Sequence, residues 1–69
     1  MTPHLVIDVE PEGDGRFIAE VQALPGVLVY GATQEEALIR AKALALRVLA
    51  DRLESGEPVP QLARLFARA

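Results

Sequence analysis

The 69-residue chain has no cysteine and no tryptophan, only one tyrosine and two phenylalanines, and a single histidine. Without cysteine there is no disulfide and no thiolate metal site. One histidine, His4, sits at the N-terminus and cannot build a metal centre alone. No run approaches the roughly 20 apolar residues of a membrane span. The N-terminus also lacks the basic region and apolar core of a signal peptide. The reading is therefore an intracellular, cytoplasmic, soluble protein, for which the lack of cysteine suits a reducing compartment.

What the chain does have is apolar surface in a small frame. Just over half of the residues are hydrophobic. A domain of this size buries only roughly 60% of what its unfolded form exposes. With disulfides and metals excluded, self-association is the stabilising device left. The net charge of −3 argues against general nucleic-acid binding. Residues 1–36 carry Asp8, Glu10, Glu12, Asp14, Glu20, Glu35 and Glu36 against Arg16, a net of −6. Residues 37–69 carry Arg40, Lys42, Arg47, Arg52, Arg64 and Arg68 against Asp51, Glu54 and Glu57, a net of +3. An acidic front half suits a basic partner.

The segment His4 to Glu10 alternates, with Leu5, Ile7 and Val9 against His4, Asp8 and Glu10. Period two with β-branched residues predicts a half-buried strand. Glu12-Gly13-Asp14-Gly15 follows as a hairpin turn. A second strand is predicted over Arg16 to Gln22, with Phe17, Ala19 and Val21 on one face. Leu24-Pro25-Gly26 reverses the chain, because proline presets φ and glycine accepts the next position. The third strand is Val27 to Tyr30. Thr33-Gln34-Glu35-Glu36 is a capping box, in which Thr33 accepts from the Glu36 N–H and Glu36 reaches back to the Thr33 N–H. The helix it opens runs to Glu54 or Ser55, where Gly56 and Pro58 end it. Glu36 and Arg40 form a favourable i,i+4 pair. The tail, residues 61–69, suits either a short helix, through Leu62, Leu65 and Phe66, or an arginine-marked edge strand.

The helix is apolar over more of its circumference than a small sheet can cover. Leu38, Ala41, Ala45 and Leu49 form the centre, Leu44 and Val48 one flank, and Ile39, Leu46 and Leu53 the other. A lone helix covers one sheet face. Val6, Ile18 and one of the pairs Leu28/Tyr30 or Val27/Val29 must then point away from it, an exposed patch of the kind that marks an interface.

Catalytic constellations are absent. Ser55 and His4 cannot form a serine–histidine–acid set. Gly13-Asp14-Gly15 lacks the lysine and helix start of a phosphate loop. Asp8, Glu10 and Glu20 lie on adjacent strands and are the one set that could attract Mg²⁺, a minor alternative since metal catalysis needs a fixed open coordination site. No cofactor is expected, and no enzyme.

The stretches Gly15-Arg16-Phe17-Ile18-Ala19-Glu20-Val21, Leu24-Pro25-Gly26, and Tyr30-Gly31-Ala32-Thr33-Gln34-Glu35-Glu36-Ala37-Leu38 resemble the HicB antitoxin family, as does Ala41 to Gly56 with Pro58-Val59-Pro60. The resemblance spans roughly residues 4–69. It implies a single α+β domain of β-β-β-α-β order, a degraded ribonuclease H-like fold, with the tail as a fourth short strand. It further implies a partner: HicA, a small basic ribonuclease toxin that such proteins bind and neutralise. Full antitoxins append a helix-turn-helix or ribbon-helix-helix module; none follows here, so operator binding is not expected. Two readings result. One is an antitoxin module meeting its toxin through Glu10, Glu12 and Glu20. The other is a solitary homo-oligomeric scaffold or binding protein, with no toxin and no catalysis, that associates through Val6 and Ile18.

Overall fold

A computed structural model describes residues 5–62 and 65–68. Three strands, β1 (Ile7–Pro11), β2 (Phe17–Val21) and β3 (Leu28–Gly31), form an antiparallel sheet in the order β1-β2-β3. One long helix, α1 (Gln34–Glu54), packs across a single face, giving an α+β architecture. A 3₁₀ turn covers Pro60–Leu62. Leu65 to Arg68 form no strand, so the fourth strand is not seen among the described residues. His4 and Arg64 lie outside those residues.

The alternation of the sequence sets the register. Ile7 pairs with Val21, Val9 with Ala19, and Ala19 with Val29, all on the helix side. The hairpin between β1 and β2 closes with the Glu12 N–H donating to the Arg16 carbonyl, and Gly15 takes a φ of +88°. Between β2 and β3 two turns are stacked. Leu24 N–H donates to Val21, and Val27 N–H to Leu24 with Gly26 at φ +92°. This is the type II geometry that Pro-Gly dictates. It drives Leu24 inward, where it is completely buried.

The helix stripe on the sheet is Ala37, Ala41, Ala45 and Leu49. Ala37, not Leu38, occupies its first position, and Leu38 is only half-buried. The reason lies in β3. A Cβ on Gly31 would stand 2.5 Å from the Ala37 nitrogen, so the first helical turn rests directly on a strand backbone. The cap also differs in one bond from the simple box. Thr33 Oγ1 accepts from the Glu36 N–H at 3.0 Å, but the Glu36 carboxylate accepts from the Ala32 N–H at 3.1 Å. Arg40 pairs with Glu36 at 3.4 Å and donates to the Tyr30 carbonyl at 2.9 Å, fastening α1 to β3. At the far end the Gly56 N–H donates to Leu53 and the Glu57 N–H to Arg52, with Gly56 at φ +81°. That pair of bonds is the Schellman closure of a helix. It turns the chain back so that Val59 and Leu62 reach the core.

Replacing Gly31 with alanine should destabilise the fold by about 1–3 kcal/mol, because the obstructing atoms are backbone and cannot rotate aside. Thr33→Ala should cost about 1 kcal/mol through the lost cap. Urea unfolding followed by circular dichroism measures both. Wild-type midpoints would contradict the close seating of α1 on β3.

Candidate functional site on the open face of the sheet

Side chains of even number point away from α1. On β1 these are Asp8 and Glu10, with Val6 just before it; on β2, Ile18 and Glu20; on β3, Leu28 and Tyr30. The register sets Asp8 opposite Glu20 and Glu10 opposite Ile18. It also sets Glu20 opposite Leu28 and Ile18 opposite Tyr30. Of the two alternative pairs on β3, Leu28/Tyr30 is the outward one. Val6 is 65% exposed, Leu28 and Tyr30 are exposed, and Ile18 is half-buried between its neighbours. The result is an acidic strip lying beside an apolar one.

Asp8, Glu10, Ile18, Glu20, Gln22 and Leu28 line a shallow hollow of about 320 Å³. Val6, Glu10, Ile18 and Glu20 thus share one face, as their spacing requires. Glu12 stands apart. It lies beyond the end of β1, where its backbone closes the hairpin. The three acids Asp8, Glu10 and Glu20 do share a surface. Among the described residues, however, no group of three histidines, aspartates or glutamates is placed to hold a metal ion.

Two side chains complete the face that charge counting alone overlooked. Gln22 Nε2 donates to Asp8 Oδ2 at 2.6 Å, bridging β1 and the end of β2. Arg16 lies 4.4 Å from the centre of the Tyr30 ring, a cation–π contact, while its Nε donates to Asp14 Oδ2 at 2.7 Å. Parity would have found both, since Arg16 and Gln22 alternate with Ile18 and Glu20. Asp14 also accepts from the Arg16 backbone N–H at 3.0 Å. That bond first, and the Arg16 guanidinium second, hold its carboxyl below the ordinary value of 3.8. Arg16 is thereby spent on Asp14 and Tyr30. Among the described residues, no cation of the chain pairs with Asp8, Glu10 or Glu20.

Because the folded pKa of Asp14 is depressed, its contribution to stability is present above 3.8 and is lost as pH falls through the lower folded value. Carboxyl NMR titration should place the Asp14 midpoint below 3.8, with Arg16→Gln returning it part of the way, the backbone bond being retained. An unshifted midpoint in the wild type would show that this turn is open in solution. In comparisons with known proteins, no family model, no curated protein and no solved structure matches the chain.

Proposed function

We propose that the chain is a HicB-like binding module. In this reading the open face of its sheet docks on a small basic ribonuclease of the HicA type and covers the active surface, without catalysis by the chain itself and within the cytoplasm. The observation that carries the proposal is the acidic strip of Asp8, Glu10 and Glu20, unpaired with cations of its own chain among the described residues and bordered by Ile18, Leu28 and Tyr30. Acids steer a basic partner into place, and apolar neighbours hold it once water is expelled. The motifs behind the family resemblance support the reading by the jobs they do. Gly15 and Gly26 take positive φ, Leu24 fills the core, Gly31 seats the helix and Thr33 caps it. The same reading makes the tail a fourth strand of a degraded ribonuclease H-like sheet.

The second reading, a solitary homo-oligomeric binding protein, draws on Val6 and Ile18 of the same face. Affinity capture of the tagged chain from its own cells separates the two. Recovery with a stoichiometric small basic protein supports the first reading, and recovery alone supports the second. With that partner purified, Glu10→Lys and Glu20→Lys should each weaken binding about tenfold and flatten its salt dependence. Glu12→Lys, at the hairpin base, should do less. Equal affinity and equal salt dependence in all three would remove the electrostatic basis of the proposal.

A further inference from the structure

Helix α1 carries a second apolar seam, largely exposed and separate from the stripe buried on the sheet. Ile39, Leu46 and Leu53 are 61%, 59% and 55% exposed. Ala43 and Ala50 lie beside them and are exposed too. Along the chain these five residues are spaced alternately by four and three, so each type recurs every seven. That repeat is the signature of a helix–helix seam. At about 100° per residue the five fall within an arc of about 80°. The arc is centred well away from the buried stripe of Ala37, Ala41, Ala45 and Leu49.

We infer that this seam pairs with the same seam of a second copy of the chain, the two helices running antiparallel about a dyad level with Val48. From Ala43 to Leu53 the seam is complementary to itself in that arrangement, and Ile39 lies beyond the paired stretch. Leu46 meets Ala50 of the second copy, and Ala43 meets Leu53 of the second copy. The dyad repeats both contacts, giving four layers. Each layer sets one large side chain against one small one, which fills the space between the helices and lets them approach closely. Parallel pairing would instead alternate leucine on leucine with alanine on alanine, crowded layers with hollow ones. Charge agrees with the antiparallel choice. It brings Arg40 alongside Glu54 of the second copy, and by symmetry Glu54 alongside Arg40. Both side chains are exposed on the seam's border. One like-charge meeting remains, Arg47 with its counterpart near the dyad, where both are exposed and can splay into water. At the Leu53 end the tail widens the surface. Leu65 and Phe66 are 64% and 70% exposed and border, with the seam, a hollow of about 200 Å³. This dimer lies on the helix side of the molecule and leaves the open sheet face uncovered, so it stands whether or not the proposed ribonuclease partner exists.

The test is sedimentation of the full chain at high micromolar concentration, where a dimer is expected. Leu46→Glu places a charge in the two central layers and should weaken association by at least about a hundredfold. Its position is exposed in the single chain, so circular dichroism should show an unchanged fold. Ile18→Glu, on the opposite face, should remain dimeric. The chain's lack of cysteine allows orientation to be read directly. Arg47→Cys should be linked between copies by a short bis-maleimide. Ile39→Cys, about 27 Å along the axis from its counterpart, should not. A monomeric wild type, a dimer that survives Leu46→Glu, or efficient linking through Ile39→Cys would each overturn the inference.

Discussion

The close approach of the first turn of α1 to the backbone of β3 sets the rest of the fold. Gly31 has no side chain, so Ala37 sits against the strand itself. From that contact the helix can run only where its next inward residues are equally small, and Ala41 and Ala45 oblige. Leu49, likewise buried, completes the stripe. Three hydrogen bonds hold the seat in place: Thr33 to the helix, Glu36 back to Ala32, and Arg40 to Tyr30. A core this thin has little volume to spare. Its completeness depends on two residues from outside the regular elements, Leu24 and Val27, both buried.

Much of this was legible because local chemistry and long-range packing agree. Asp14-Gly15 and Pro25-Gly26 mark the turns, Thr33 and Gly56 mark the helix ends, and period-two alternation gives the inward face of β1 and β2, while that of β3 stays open until the register is known. The misjudgements came where tertiary contact decides. Leu38 outranks Ala37 on hydrophobicity, but only the smaller residue fits over Gly31. Strand β1 begins at Ile7, where pairing with Val21 starts, later than the alternation does. The candidate site was legible by parity. Glu10, Glu20, Val6 and Ile18 do share a face, while Glu12 falls past the strand's end. Parity also puts Gln22 and Arg16 on this face, but their contacts with Asp8 and Tyr30 depend on the register between strands, which composition does not contain.

The two uncovered surfaces differ in character as well as position. The sheet face is mixed, with carboxylates beside aliphatic and aromatic groups. The outer flank of α1 is apolar and repeats along its length. Mixed faces favour partners that supply the missing charge, and repetitive apolar seams favour a like seam. A small domain can therefore keep one side for its own stability and the other for recognition. The helix between them is seated on the sheet by Ala37, Ala41, Ala45 and Leu49, which leaves Ile39, Leu46 and Leu53 on the outside.

The buried Leu24 gives the two hairpin loops opposite tolerances to engineering. The loop between β2 and β3 is part of the interior, and lengthening it would withdraw a core side chain, so it should resist insertion, permutation and proteolytic nicking alike. The Gly13-Asp14 tip buries nothing, and a Cβ added at Gly13 would meet no atom within 4 Å. A reporter or an epitope inserted there withdraws no core side chain and costs the fold only the surface bonds between Asp14 and Arg16.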